Sequence, residues 1–140
     1  MNYLLDTDIC IYLMTDREPK RRERIMAHLK RLKPHEVVYL SSITAMELIY
    51  GASKSRKSED NLDLLERFFL DFEIASFDMG AAVIAGSLRA HLEGKGKPIG
   101  PLDTLIAAHA LSLDLGITLV TNNIREFSRV PGLNVKNWST

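Results

Sequence analysis

The sequence predicts an α/β fold in which short buried strands alternate with helices, and three observations carry that prediction. Apolar, β-rich runs at residues 3–5, 37–40, 74–77 and 117–120 alternate with segments whose apolar residues recur at helical spacing. Pro, Gly and polar stretches punctuate the boundaries between them. Three carboxylates far apart in the chain, Asp6, Glu47 and Asp103, each fall where a strand-like run gives way to a helix or near a helix's first turn. In an alternating β/α protein the strand ends gather on one edge of the sheet, where ligands bind.

Taken in order, residues 3–5 read as a strand, followed by a helix that begins near Asp8, a favourable N-cap before Ile9, Ile11 and Leu13. Ile25, Leu29 and Leu32 share a helical face on a basic segment that Pro34 stops, and residues 37–40 form the second strand. After Ser41 and Ser42, Ala45, Met46, Leu48 and Ile49 mark a helix; after the polar stretch 53–60, Leu62, Leu65, Phe69 and Phe72 mark another, giving a helical hairpin over the sheet. Residues 74–77 are a short strand, and Asp78 caps a helix to about Leu92 that ends in the loop Glu93-Gly94-Lys95-Gly96-Lys97-Pro98. Asp103 opens a helix through Leu115, residues 117–120 are the fourth buried strand, Thr121-Asn122-Asn123 is its terminal loop, and residues 133–135 are a candidate edge strand.

Length and composition bound what can be built on this frame. With 140 residues, 46% hydrophobic and 26% charged, the chain has the makings of one domain spanning 1–140 with a real core. The single Cys10 lies in an apolar stretch and reads as a buried free thiol, compatible with a reducing cytoplasm. There is no basic leader, and no apolar run is long enough to span a bilayer, so a cytoplasmic protein without a membrane partner is expected. Net charge is zero, yet between Arg17 and Lys33 eight basic residues face two acidic ones. A basic helix beside an acidic pocket suits a polyanion held at its backbone, with Arg21, Arg22 and Arg24 as candidate phosphate contacts; a solvated helix face accounts for the same run.

Each acid also has a structural reading. Thr44-Ala45-Met46-Glu47 is a capping box, so Glu47 can satisfy a backbone donor. Asp103, shortly after Pro101, complements a helix dipole, as do Asp8 and Asp78. Asp6 ends an apolar strand with no capping duty once Asp8 fills that post, and so points to function. His109, on an apolar helix face, reads as structural.

Leu4-Leu5-Asp6-Thr7-Asp8, Ser42-Ile43-Thr44-Ala45-Met46-Glu47-Leu48 with Tyr50-Gly51, residues Lys97 to Ala110, and Val120-Thr121-Asn122-Asn123 through Glu126-Phe127 together resemble the PIN domains, and more narrowly the VapC toxin ribonucleases, in order and spacing over nearly the whole chain. The resemblance implies a three-layer α/β/α fold with a short central parallel sheet and Mg²⁺-dependent endonucleolytic cleavage of RNA, often tRNA or ribosomal RNA. It also implies neutralisation by a VapB-type antitoxin, a homodimer and a toxin–antitoxin hetero-oligomer. Carried over by position, the acidic triad falls on Asp6, Glu47 and Asp103, and Asn122 occupies the loop where many PIN domains have a fourth acid. An amide there can offer an oxygen or hold a metal-bound water, but brings no charge.

The chemistry asks for such residues. Three carboxylates about 5 Å apart repel by roughly 3 kcal/mol per pair at an effective dielectric near 20, so protons or a cation must sit among them. Oxygen ligands without a His or Cys cluster favour Mg²⁺ or Mn²⁺. Asp6 and Asp103 are then metal ligands, with Glu47 positioning or deprotonating the attacking water. Two other readings remain open here. Asp6-Thr7-Asp8 also resembles the nucleophile motif of haloacid-dehalogenase-type phosphatases, with Asp6 as nucleophile and Asp8 as acid/base. A PIN-like module that binds RNA or protein without cutting is the other.

Overall fold

The structure is a computed structural model that describes residues 1–113 and 117–140. In chain order the elements are β1 (Tyr3–Leu5), α1 (Thr7–Met14), α2 (Pro19–Lys30), β2 (Val38–Ser41), α3 (Ser42–Ser53), α4 (Ser58–Phe69), β3 (Glu73–Ala75), α5 (Met79–Gly94), α6 (Pro101–Leu113), β4 (Thr118–Val120), α7 (Ile124–Phe127) and β5 (Asn134–Lys136). The five strands form one sheet in the order β3-β2-β1-β4-β5, every pair parallel.

Strand residues alternate between two cores, as a pleated sheet with period two requires. Leu4 and Leu119, with Tyr39 and Val135 beside them, pack on Leu88 and Leu92 of α5 and Ile106 of α6. Tyr3, Leu5, Leu40 and Val120 face the other way, onto Ile9 of α1, Ile25 of α2, Leu48 of α3 and Leu65 of α4. The result is the α/β/α layering that the sequence resemblance implies, with α3 and α4 packed on each other as the expected hairpin. The single tryptophan, Trp138, is buried and stacks on His28 with ring centroids 5.1 Å apart.

Sheet order also fixes where a ligand can sit. From β1 the chain builds outward through β2 to β3, then returns to place β4 on the other side of β1. That reversal opens a crevice at the carboxyl ends of β1 and β4, a topological switch point. Asp6 and Thr121 are the residues that follow those two strands.

Several boundaries differ from the sequence expectation, each for a local reason. Asp6, not Asp8, is the N-cap of α1: its side chain accepts from the Thr7 N–H, and Asp8 lies in the first turn. Ser41 caps α3 by accepting from the Ile43 N–H, which places Glu47 in the second turn and removes the capping-box reading. Asp78 caps α5 as expected, accepting from the Ala81 N–H. The basic helix α2 starts with Pro19 at its first position and ends at Lys30, before Pro34. The four-residue α7 was not anticipated, because so short a helix carries no periodic signal. The helix expected through Leu115 is α6 as far as Leu113, and residues 114 and 115 lie outside the described residues. Cys10 is buried and unpaired, as read.

The cap at Asp78 gives a direct check. Asp78→Ala should lower unfolding stability by about 1 kcal/mol, and Asp78→Asn should retain most of it, in urea titrations followed by Trp138 fluorescence. Equal stability of wild type and the alanine variant would mean that the cap contributes nothing.

Candidate metal-binding acidic site

The site is assembled from four chain segments that meet at the carboxyl edge of the sheet. Asp6 is buried where β1 ends. Its Oδ1 accepts from the Thr7 backbone N–H at 2.8 Å and its Oδ2 from the Thr121 hydroxyl at 2.7 Å, so the helix it caps and the end of β4 both orient it. Each oxygen keeps a further lone pair for a cation. Asp8, in the first turn of α1, lies close enough for its charge to raise Asp6, and its Oδ1 is buried without a hydrogen-bond partner.

Glu47 arrives from α3 and is fastened to α1. The Thr7 hydroxyl donates to Glu47 Oε1 at 2.9 Å and meets the Thr44 hydroxyl at 3.0 Å. A hydroxyl has one proton, so Thr44 donates to Thr7 while Thr7 donates to Glu47. Asp103 stands in the first turn of α6. Glu126 of α7 holds the entry to that helix by accepting from the Gly100 N–H at 2.8 Å, and also accepts from the Asn123 side-chain amide. A Cβ at Gly100 would lie 3.1 Å from Asp103 Oδ2, so this backbone runs close against the carboxylate.

A buried Ser–His contact locks α6 against the β2–α3 junction. Ser41 Oγ lies 2.7 Å from His109 Nδ1 while also accepting from the Ile43 N–H, which ties the ring to the cap of α3. Burial lowers the His109 pKa and so favours the neutral ring.

Electrostatics then show what the pocket lacks. Burial first, and the neighbouring Asp8 charge second, push Asp6 up to about 7. Burial, the hydrogen bond and charge of Glu126, and the charges of Asp6 and Glu47 push Asp103 up to about 7. Burial also raises Asp8, against backbone N–H groups of Ile9 and Asn122 that pull it down. Among the described residues, the ion pairs are Met1 with Glu36 and Arg89 with Glu93, and neither reaches this cluster. The excess negative charge and the all-oxygen donor set fit a hard divalent cation. Among the described residues no group of three His, Cys, Asp or Glu side chains is gathered closely enough to hold an ion by itself.

The expected residues are therefore brought together unequally. Asp6, Glu47 and Asp103 share one electrostatic neighbourhood. Asn122 sits at its rim, but its amide oxygen is engaged: it accepts from Arg21 Nη1 at 2.7 Å and from Asn137 Nδ2 at 3.2 Å, which uses both lone pairs. Arg21 is half-buried against it, whereas Arg22 and Arg24 are exposed and anchored by single bonds to the backbone oxygens of Leu13 and Ser139. Sequence reasoning passed over Glu126, the contribution of Asp8 to the cluster, and the threonine hydroxyls of residues 7, 44 and 121. Glu126 lies within the Val120 to Phe127 stretch that carries the family resemblance, but no role was read for it there.

The pKa directions predict a pH dependence of stability. A carboxyl raised from its ordinary value near 4 to about 7 lets the folded chain keep protons that the unfolded chain has lost, so this contribution weakens as pH climbs from about 4 through 7. In EDTA, Asp103→Asn should therefore unfold at a higher temperature than wild type at about pH 8, and the difference should shrink toward about pH 5. Neutral His109 pulls the opposite way but is common to both proteins. Thermal melts at the two pH values decide; a variant less stable than wild type at the higher pH would contradict the assignment.

Comparison with known proteins places this geometry. The sequence model of the PIN domain family matches residues 3–133. The chain is 42% identical over 138 residues to a tRNA(fMet)-specific endonuclease VapC of Salmonella typhimurium, covering 99% of this chain and 98% of that one. It is also 42% identical over 138 residues to a ribonuclease VapC2 of Rickettsia felis, with the same coverage. Among solved structures, VapBC-1 from nontypeable Haemophilus influenzae superposes with a TM-score of 0.89 at 34% identity over 100% of both chains. DNA-bound VapBC from Salmonella typhimurium gives 0.82 at 42% identity over 99% of this chain and 98% of that one.

Proposed function

The chain belongs to the PIN domain family, and from that premise we propose that it is the ribonuclease toxin of a VapBC-type toxin–antitoxin pair, a divalent-metal-dependent endoribonuclease confined to the cytoplasm and formed by one PIN domain over residues 1–140. The observation that carries the reading is the acidic cluster at the switch point, which has no basic counter-charge among the described residues. Asp6 and Asp103 are proposed as the carboxylates that hold Mg²⁺ or Mn²⁺. A bound ion of this kind stabilises charge developing on a phosphate and lowers the pKa of a water. Glu47, steered by Thr7 and Thr44, positions the attacking water and accepts its proton. Asp8 and Glu126 add negative charge that makes the pocket a cation site, and Glu126 also holds the entry to the Asp103 helix. Arg22 and Arg24, exposed on α2, are suited to backbone phosphates of the RNA.

The Salmonella typhimurium relative is named for tRNA(fMet), so initiator tRNA is the substrate to test first. For the antitoxin, a groove of about 530 Å³ between α1, α3 and α4 is lined by Ile11, Met14, Leu48, Leu64 and Phe68 and reaches Glu47. An apolar antitoxin segment lying there would end at the acidic pocket and block it. The exposed faces of α3 and α5, carrying Ile49, Tyr50, Met79 and Val83, are available for a homodimer. The phosphatase reading has less support, because both Asp6 oxygens accept hydrogen bonds, from Thr7 and Thr121, and family membership lies elsewhere.

The test is cleavage of initiator tRNA by purified, antitoxin-free protein. Activity should require Mg²⁺ or Mn²⁺ and vanish in EDTA. Glu47→Gln should lower the rate by roughly 10²- to 10⁴-fold while the protein stays folded, since Ser41 rather than Glu47 caps the helix. Metal-independent cleavage, or full activity in Glu47→Gln, would overturn the mechanism.

A further inference from the structure

Arg21 is buried differently from its neighbours on the basic helix. Its guanidinium lies over the Tyr12 ring, 5.5 Å from the centroid, and its Nη1 donates to Asn122 Oδ1 at 2.7 Å and Ser139 Oγ at 3.1 Å. Asn122 in turn donates from Nδ2 to the Tyr12 hydroxyl at 3.3 Å, and Ser139 gives its one proton to Asn137 Oδ1 at 2.6 Å. Three distant pieces of chain, α1–α2, the end of β4 and the carboxyl-terminal tail, are thereby tied to one amide side chain.

What lies on either side of that amide bears on the acidic site. Thr121, immediately before Asn122, donates its hydroxyl proton to Asp6 Oδ2 and accepts from the Asn123 N–H at 3.0 Å. Asn123, immediately after, gives its side-chain amide to Glu126, which holds the entry to the Asp103 helix. The Asn122 backbone N–H faces Asp8. A loop of three residues thus reaches Asp6, Asp8 and Glu126, and its middle member is fixed from outside the pocket by Arg21.

We propose that Arg21 is a positioning residue for the acidic site, setting the Thr121–Asn123 loop through Asn122 and so the orientation of Asp6, rather than a contact to RNA phosphate. The inference rests on the nuclease reading above for its kinetic consequence, but its structural half stands on the hydrogen bonds alone. Arginine suits the position because its planar, weakly hydrated guanidinium lies over the Tyr12 ring while Nη1 reaches both acceptors; a compact, strongly hydrated ammonium on a flexible stem does not hold that stacked placement. Asparagine is required at 122 because it must both accept from Arg21 and donate to Tyr12.

The experiment compares wild type with Arg21→Gln, Arg21→Lys, Asn122→Ala and the double variant Arg21→Gln/Asn122→Ala, using initiator tRNA with Mn²⁺. Misplacement of the site should lower kcat by roughly 10- to 100-fold in each single variant, lysine included. KM should stay within about twofold of wild type, and the double variant should be no worse than the poorer single. A phosphate contact gives another pattern: KM rises, the salt slope of RNA binding falls by about one, and Arg21→Lys restores function. That pattern would overturn the proposal. The second readout needs no activity: amide hydrogen exchange in metal-free protein, where Arg21→Gln should speed exchange at Asn123 about tenfold or more and leave Leu119 and Val120 unchanged. Unchanged exchange at Asn123 would also overturn it. Should Arg21→Gln fail to fold, Arg21→Lys and Asn122→Ala carry both measurements. A wild type that does not cut RNA in Mn²⁺ would sink the nuclease reading, while the exchange data would still decide whether Arg21 sets the loop.

Discussion

Five carboxylates, those of Asp6, Asp8, Glu47, Asp103 and Glu126, meet at one edge of a parallel sheet, and no ion pair among the described residues offsets them. Much of the rest of the structure can be understood as holding that repulsion in place. Like charges gathered at a partly buried edge repel, and the raised pKa values of Asp6 and Asp103 reflect that together with burial. The protein meets this with neutral donors instead of cations: Thr7 on Glu47, Thr121 on Asp6, and the Gly100 N–H on Glu126. Such donors orient an acid without cancelling its charge. A lysine or arginine in the pocket would have stabilised the metal-free chain and competed with a metal.

The same logic explains where the stiff parts are. The Ser41–His109 contact fastens α6 to β2, the Thr44–Thr7 contact fastens α3 to α1, and the Arg21–Asn122–Ser139 network fastens α2 and the carboxyl-terminal tail to the end of β4. Each tie joins two of the elements that deliver an acid or flank one. Beneath them, two apolar cores on opposite faces of the sheet set the strand positions.

What the sequence could and could not reveal follows from the range of the interactions involved. Asp6 and Asp103 were legible because each lies at or near the start of a helix in a strand-and-helix alternation, and Cys10 and His109 were legible from their apolar surroundings. Helix caps were legible only to within a residue or two: Asp78 was right, while the α1 cap moved from Asp8 to Asp6 and the α3 cap from Thr44 to Ser41. These shifts matter, since capping and site duty turn out to coincide at Asp6. Glu126 was hidden by a helix too short to show periodicity, and the threonine struts by bonds that span up to 115 positions in sequence. Arg21 was read with its charged neighbours; only its contact with Asn122, 101 residues away, sets it apart.

The claim on which all of this turns is that the clustered carboxylates hold protons that a divalent cation displaces. Calorimetric titration of Mn²⁺ into metal-free protein, repeated at pH 7 in buffers of different ionisation enthalpy, counts those protons directly. With Asp6 and Asp103 both raised, the account predicts that binding releases protons at pH 7 and releases fewer as the pH climbs toward about 9. Binding that releases no protons at pH 7, or no binding at all, would contradict it.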